Sequence, residues 1–144
     1  MNSQQITIDN TPVSQVTEAE HVGVLRNTAG NLPNIANIIA MHKNSLHALL
    51  PAGLARRHRG NPAASLKLSQ LYGVPVLLSG VASLVLNQAE LNILEGHYLL
   101  TLQSLLRIHE KTPRSMVYFP AGSLPVTALL HQRQLSLFAM VCHL

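Results

Sequence analysis

Cysteine, aromatic residues and a leader segment are scarce or missing in this chain, and each shortage excludes a class of protein. The single cysteine, Cys142, excludes an internal disulfide and any zinc site built from several cysteines. Aromatic residues make up 3% of the chain and tryptophan is absent, so the core must be aliphatic. The first residues lack the basic and apolar regions of a signal peptide, which predicts an intracellular (cytoplasmic or nuclear) protein that is not secreted.

Acidic residues are too few and too scattered for a nucleic-acid enzyme. The chain has six, and Asp9 is its only aspartate. Two-metal phosphoryl transfer needs clustered acids to hold the ions, and neither an Asp-Asp pair nor a glycine-rich phosphate loop occurs. No two of the eight histidines have the i, i+4 spacing of a helical metal clamp, and Cys142-His143 lacks an orienting acid. We therefore expect no catalytic residues, no metal and no cofactor.

Apolar residues dominate what remains. They form 47% of the chain against 11% charged residues, where about 25% charged is typical, so a folded domain is expected. Lysine and arginine exceed the acids by ten to six, which gives a net charge of +4. That balance is compatible with nucleic acid or anionic lipid as a partner and is specific to neither.

The chain divides by pattern near residue 30. Residues 1–30 carry short segments typical of strands, namely Ile6–Ile8, Thr11–Val13 and His21–Leu25. Such a small β element cannot form a stable sheet alone. Residues 31–144 show helical periodicity, which predicts a mostly α protein, α+β overall.

The first helix is predicted to begin at Leu32–Pro33 with Asn31 as its N-cap, and to end or kink at Pro51. Its apolar face is expected to contain the following residues: Ile35, Ile38, Ile39, His42, Leu46, Leu49 and Leu50.

The apolar stretch 61–86 follows. Asn61 and Pro62 are typical of a helix start. Gly73, Pro75 and Gly80 predict a helix that is bent or broken near its middle. Residues 68–89 carry no charge, and about 20 such residues can cross a bilayer. The polar and helix-breaking residues inside this run favour buried core helices, with a single membrane span as the alternative.

Two further long helices are expected. Asn87 and Glu90 have the spacing of a capping box that starts the first of them. Its predicted face is Leu91, Leu94, Tyr98, Leu102, Leu105, Leu106 and His109. A break at 111–114 is followed by a short apolar piece and a loop punctuated by Pro120, Gly122 and Pro125, with Ser123 as a possible cap. The last helix should run from about Val126 to the C-terminus with these residues inward: Leu129, Leu130, Leu137, Phe138, Val141 and Leu144.

The densest charge lies between the first two helices. Arg56, Arg57 and Arg59, with Lys67 one helical stretch later, have the composition of a phosphate clamp. A solvated connector between helices is the alternative interpretation. No aromatic residue interleaves with the arginines, so base stacking is not predicted.

Five motifs, in chain order, share their pattern with one known family. They are Glu20–Val24, Asn31–Ile35, Leu71–Gly80, Leu106–Pro113, and Gly122–Pro125 followed by His131–Phe138. Together they resemble the palm end and thumb of LINE-type (non-LTR) retrotransposon reverse transcriptases. The last motif is similar to the family's Gly-x-x-Pro…Arg-x-Leu-Ser-Leu-Phe signature.

This resemblance implies a helical thumb-like bundle in residues 31–144 behind palm-end strands in residues 1–30. The family's fingers and its catalytic Tyr-x-Asp-Asp acids would precede residue 1, so the chain is expected to be a fragment of an RNA-directed DNA polymerase without activity of its own. In the family the thumb grips the template–primer duplex. Weak, sequence-independent binding of RNA or DNA duplex or hybrid is therefore expected near Arg56, Arg57, Arg59 and Lys67, with the missing palm and fingers as a protein partner. A small helical protein-interaction module and a single-span membrane protein are the rival hypotheses.

Overall fold

The computed structural model describes residues 7–8, 11–12, 18–21 and 24–27 as backbone, and residues 30–51 and 61–142 in full. The protein is mostly α-helical, which confirms the predicted fold class. The strands are β1 (Thr7–Ile8), β2 (Thr11–Pro12), β3 (Glu18–His21) and β4 (Val24–Asn27). The helices are α1 (Leu32–Ala48), α2 (Pro62–Leu68), a π-helical turn (Ser69–Gly73), α3 (Val74–Ser79), α4 (Gln88–Leu106), α5 (Arg114–Ala121) and α6 (Val126–Cys142).

The strands form two separate antiparallel pairs, β1 with β2 and β3 with β4. Within the second pair His21 lies opposite Val24. The predicted single strand His21–Leu25 is therefore wrong, because His21 belongs to β3 and Val24 and Leu25 belong to β4. Strand β4 contacts α1, which joins this small element to the helices.

Helix α1 begins at Leu32 as predicted and buries the predicted face. Ile35, Ile38, His42 and Leu46 are all buried. Asn31 occupies the N-cap position, but its side chain makes no capping hydrogen bond. The predicted N-cap is therefore confirmed by position, while the Asn31 amide donates to the carbonyl oxygen of Val85 at 3.2 Å and links two distant parts of the chain.

The irregular central helix is the element around which the core forms. The Asn61 side chain accepts a hydrogen bond from the backbone N–H of Ala63 at 3.0 Å, which confirms the predicted start. Pro75 has no N–H to donate, and its ring disfavours a regular turn before it. The chain adopts the π-helical turn just ahead of Pro75, and the Val74 N–H reaches back five residues to the Ser69 carbonyl. The predicted break is confirmed, and a π-helical turn is its form.

Glycine allows this segment to lie directly against α1. A Cβ on Gly73 would lie 3.0 Å from Nε2 of His42, and one on Gly80 would lie 2.7 Å from Cδ1 of Ile38. Both distances are shorter than ordinary van der Waals contact, so a side chain at either glycine would force the side chain of His42 or Ile38 to shift. The two contacts also fix the antiparallel arrangement of α1 and the central segment.

Helix α4 crosses the middle of the bundle. The predicted capping box is present, with Asn87 Oδ1 accepting from the Glu90 N–H and Glu90 accepting from the Asn87 N–H, each at 2.8 Å. The helix ends at Leu106 because Arg107 adopts a left-handed conformation, φ 61°. His109 lies beyond this end and is exposed, so its predicted place on the buried face is wrong.

Helices α5 and α6 close the bundle. Pro120, predicted to lie in a loop, is inside α5, and Gly122 ends that helix with φ 56°. In α6 only Val126 and Leu130 are buried. Leu137, Phe138 and Val141 were predicted to point inward and are exposed, because the second half of α6 extends beyond the described elements that cover the first half. Leu144 lies outside the described residues.

The hydrophobic core draws residues from all six α-helices, and its fully buried centre includes Leu77, Leu94 and Leu102. It is almost entirely aliphatic, as the composition predicts, with Tyr98 as the buried aromatic exception. Across the residues that the structure describes, no helix combines the length and apolar character needed to cross a bilayer.

Candidate functional site

The predicted phosphate-binding residues are described only in part. Arg56, Arg57 and Arg59 lie outside the described residues, between α1 and α2. Lys67 is exposed in the last turn of α2, and its neighbours Ser65 and Leu66 are buried. Lys67 is thus free to contact a solvent-side ligand while its helix is held by the core. The grouping of the four basic residues stays a prediction.

A histidine pair joins α1 to α4 in the interior. Nδ1 of His42 lies 2.8 Å from Nε2 of His97, and the two rings meet edge to face at 86° with their centroids 5.0 Å apart. His42 is fully buried, and its Nε2 has no hydrogen-bond partner among the described residues. This nitrogen lies on the side of Gly73. One ring must donate and the other accept, so the arrangement needs at least one neutral imidazole.

Burial sets the protonation of this pair. Burial, with the neighbouring His97 as a second cause, lowers the pKa of His42 to about 4. Burial also lowers the pKa of His97, with the charge of Lys43 as a second cause. Both histidines are therefore neutral at pH 7, and neither can bind a phosphate as a cation.

A shallow groove lies beside the pair on the outer side of α1 and α4. Its volume is about 270 Å³, and its polar lining consists of Lys43, His97, Thr101 and Ser104. The Thr101 hydroxyl already donates to the His97 carbonyl at 3.0 Å. Ligand pockets usually measure about 300–1,000 Å³ and enclose their ligand. With Lys43 as the one cation of its lining and the Thr101 hydroxyl already bonded, the groove is too open and too sparsely polar to define a small-molecule site.

A second polar cluster is centred on the buried carboxylate of Glu95. Its Oε2 accepts a hydrogen bond from the backbone N–H of Val126, the first residue of α6, at 2.8 Å. Its other oxygen accepts from the Tyr118 hydroxyl on α5. Beside it the hydroxyls of Tyr98 and Ser123 lie 2.6 Å apart. One carboxylate on α4 therefore fixes both α5 and α6.

Ser123 and Tyr118 each have a defined hydrogen-bond partner in this cluster. Ser123, predicted as a possible cap for the last helix, instead pairs with Tyr98, and Glu95 binds the first N–H of that helix. Burial raises the pKa of Tyr118, and its hydrogen bond to Glu95 raises it further. Tyr118 therefore stays protonated and remains a donor at physiological pH.

No group of three or more His, Cys, Asp or Glu in ranges 30–51 and 61–142 could hold a metal ion. Cys142 is exposed at the end of α6, and His143 lies outside the described residues. Glu90 and Glu95 both accept hydrogen bonds from helix N-termini, so their oxygens already have structural partners.

Three features were missed at the level of sequence. His97 and Glu95 each bond to residues more than 30 positions away, and no local pattern signals such pairs. The exposed second half of α6 was also missed. Its apolar pattern was visible, but the extent of the surrounding bundle was not.

Comparison of the chain with known protein families, curated proteins and solved structures finds no match.

Proposed function

We propose that this chain is the thumb segment of a LINE-type RNA-directed DNA polymerase, able to bind nucleic acid weakly and without catalytic activity of its own. The resemblance in its motifs is the starting point. The observation that supports it is the packing of Leu71–Gly80, the motif that forms most of the π-helical turn and all of α3. Its two glycines lie against α1, so the residues that carry the resemblance also have defined roles in this helical bundle.

The proposed binding site is the basic connector that leads into α2. Arg56, Arg57 and Arg59 precede the capped start of α2 at Asn61, and Lys67 is exposed on the same helix. Guanidinium and ammonium groups bind phosphate oxygens irrespective of base sequence. Four contacts limit the slope of log affinity against log salt to about −3 to −4 for a duplex. Binding should therefore be strong only at low ionic strength.

The proposal gives this segment no catalytic role. Phosphoryl transfer needs acids that are free to hold metal ions. The acids that are buried among the described residues, Glu90 and Glu95, instead stabilise the starts of α4 and α6. Purified protein is expected to incorporate no nucleotides on a primed template.

The test is fluorescence anisotropy of a labelled RNA–DNA hybrid across a salt series. Replacing Arg56, Arg57 and Arg59 together by alanine should remove most of the slope and leave the helical circular dichroism unchanged. The matched control replaces Lys43, Lys111 and Arg114, three exposed cations elsewhere, and loses the same charge. It should keep most of the slope. Equal slopes for the parent and the first variant would refute the proposed site.

A protein-interaction module is the second candidate. It is favoured by one observation, the exposed apolar side chains on the second half of α6. None of the proposed phosphate-binding residues belongs to that surface. If the protein does not bind the RNA–DNA hybrid, the protein-interaction module becomes the leading hypothesis.

A further inference from the structure

The central helical segment, from α2 through the π-helical turn to α3, has a buried side and an exposed side. Its buried side contains a residue at every fourth position: Ser65, Ser69, Gly73 and Leu77. We define its exposed side as the π-turn surface, consisting of Lys67, Leu71, Tyr72 and Pro75. Leu71 and Tyr72 are 59% and 56% exposed. The segment thus presents an aromatic ring and an aliphatic side chain to solvent next to a cation.

Two other helices hold the π-helical turn on its inner sides. A Cβ on Gly73 would lie 3.0 Å from Nε2 of His42, so the backbone of the turn lies directly against α1. The Gln70 amide donates to the carbonyl oxygen of Ala121, the last residue of α5, at 3.1 Å. Helical backbone that is supported in this way keeps its side chains in place, and π-helical turns are frequent at functional sites. The exposed side chains of the turn therefore project from a firm support.

Charge around this surface has one sign. Between Glu20 and Glu90 the chain has no acidic residue. The same span contains the following cations: Arg26, Lys43, Arg56, Arg57, Arg59 and Lys67. Elsewhere in the helical part that the structure describes, Glu95 is buried like Glu90, and Glu110 lies between α4 and α5. A polyanion that approaches the central segment therefore meets cations and no acid from this segment or from α1.

The spacing of these side chains suits a nucleotide. Lys67 and Leu71 lie one helical turn apart and line up on the surface, and Tyr72 lies beside them. Five residues of helix advance about 7 Å, so a phosphate bound by Lys67 and a base lying on Tyr72 can belong to one nucleotide. Neighbouring bases cover the faces of a paired base, whereas an unpaired base can stack on an aromatic side chain.

We propose that Leu71 and Tyr72 form a stacking surface for an unpaired base whose phosphate is bound by Lys67. The preferred nucleic acid is then a hybrid with a single-stranded overhang, with its paired part on the basic connector and its overhang on the π-turn surface. The sequence did not indicate stacking, because no aromatic residue lies among the arginines. The proposal rests on the proposed nucleic-acid function and specifies which nucleic acid is preferred.

Fluorescence anisotropy at low salt compares two RNA–DNA hybrids that differ only in their overhang. One overhang has about six thymidines and the other has about six abasic nucleotides, a length that single-strand-binding domains cover. Both overhangs carry the same phosphates, so a difference in affinity reports contact with the bases. The parent should bind the thymidine overhang about fivefold or more tightly, which is the lower limit for stacking one base on an aromatic side chain.

Substitutions at Tyr72 test whether its ring carries this preference. Tyr72→Ala should bind the two hybrids equally, whereas Tyr72→Phe should keep the preference because the ring remains. Phe119→Ala is the matched control, since Phe119 is an aromatic residue on α5 that is 91% exposed, and it should also keep the preference. Lys67→Ala should weaken binding of both hybrids alike and lower the salt slope by about one unit. Circular dichroism checks that each variant keeps its helices.

Tyrosine fluorescence gives a direct signature of stacking. The chain has three tyrosines and no tryptophan. Tyr98 is fully buried and Tyr118 is half-buried, so Tyr72 is the tyrosine that a base can reach. Saturation with the thymidine-overhang hybrid should quench the tyrosine emission of the parent. Tyr72→Phe should bind this hybrid with similar affinity and show little quenching.

Equal affinity of the parent for the two overhangs would overturn the stacking surface. It would leave the proposed phosphate site intact, since that site is measured separately by the salt series with a blunt hybrid. A preference that survives Tyr72→Ala would also overturn the stacking surface, because the base would then lie elsewhere. A parent that binds neither hybrid would overturn both proposals. Sedimentation with phosphatidylcholine–phosphatidylserine vesicles that depends on Tyr72, without a preference between the overhangs, would instead assign the π-turn surface to anionic lipid.

Discussion

His42 on α1 and His97 on α4 share one hydrogen bond of 2.8 Å between ring nitrogens. The bond exists only while one of these nitrogens lacks a proton. Protonating both nitrogens would place two donors face to face in the interior. The contact between α1 and α4 is therefore expected to weaken as the pH falls and the histidines take up protons.

Stability should decrease as pH falls below about 6.5. The pKa of His42 is about 4 in the folded protein and returns to about 6.5 when the chain unfolds. Above pH 6.5 neither state binds the proton, so the free energy of unfolding should not depend on this group. Between pH 6.5 and 4 only the unfolded chain takes up the proton, which lowers stability by up to about 1.4 kcal/mol per pH unit. Urea denaturation at pH steps from about 7.5 to about 5 measures this decrease in the free energy of unfolding.

The control for this prediction is His131→Gln, a substitution at an exposed histidine of α6. Its pH profile should run parallel to that of the parent, whereas His42→Gln should flatten the profile and lower stability at pH 7. Parallel profiles for His42→Gln and the parent would contradict the prediction, because the proton uptake would then come from other groups.

The histidine pair illustrates what sequence patterns convey. The position of His42 on the inward face of α1 followed from its spacing among isoleucines and leucines, and it is confirmed. Its partner is 55 residues away on another helix, and helical periodicity has no information at that range. The capping box of Asn87 and Glu90 was predicted in full because both of its hydrogen bonds lie within one turn.

Removing the local cap should have a modest cost. Asn87→Ala deletes the acceptor for the Glu90 N–H at the start of α4, and such substitutions cost about 0.5–2 kcal/mol. Asn61→Ala, at the start of α2, should fall in the same range. Chemical denaturation measures both, and a change below about 0.3 kcal/mol at Asn87 would show that water replaces the cap.

The long-range cap at Glu95 should matter more than an ordinary surface carboxylate. Glu95→Gln keeps the shape but loses the charge that binds the Val126 N–H and the Tyr118 hydroxyl, which should cost about 1–3 kcal/mol. Tyr118→Phe removes one of these donors and should cost about 0.5–1.5 kcal/mol. The double variant should cost less than the sum, because the two changes remove a shared hydrogen bond. Glu110→Gln, at an exposed position, is the control and should change stability by less than about 0.5 kcal/mol.

The errors on α6 have a common physical cause. Its stripe of leucines predicts an inward face for the whole helix, and Leu130 is buried as predicted. A sequence pattern specifies which side of a helix is apolar, but the lengths of neighbouring helices decide how much of that side is covered. Pro120 was misassigned for a related reason, because its place inside the short helix α5 depends on the packing of Val117 and Ala121 beneath it.

Gly80 lies closer to a neighbouring side chain, that of Ile38 on α1, than the other described glycines lie to theirs. A Cβ on Gly80 would lie 2.7 Å from Cδ1 and 3.0 Å from Cγ1 of Ile38, a side chain that is itself 2% exposed in the core. Gly80→Ala should therefore cost about 1–3 kcal/mol through overpacking. Gly96→Ala is the matched control, because Gly96 lies inside α4 with no atom within 4 Å of its added methyl group. It should stabilise the protein by about 0.5–1 kcal/mol through helix propensity.

A second substitution at Ile38 tests whether the loss of stability in Gly80→Ala arises from the contact between these two residues. Ile38→Val removes the Cδ1 atom that lies closest to the new methyl group, so Gly80→Ala should cost less in that background than in the parent. The difference, measured as a double-mutant cycle by urea denaturation, should be about 0.5–2 kcal/mol. An uncoupled pair with the same cost for Gly80→Ala in both backgrounds would mean that the loss arises in the backbone at Gly80 rather than from the contact with α1.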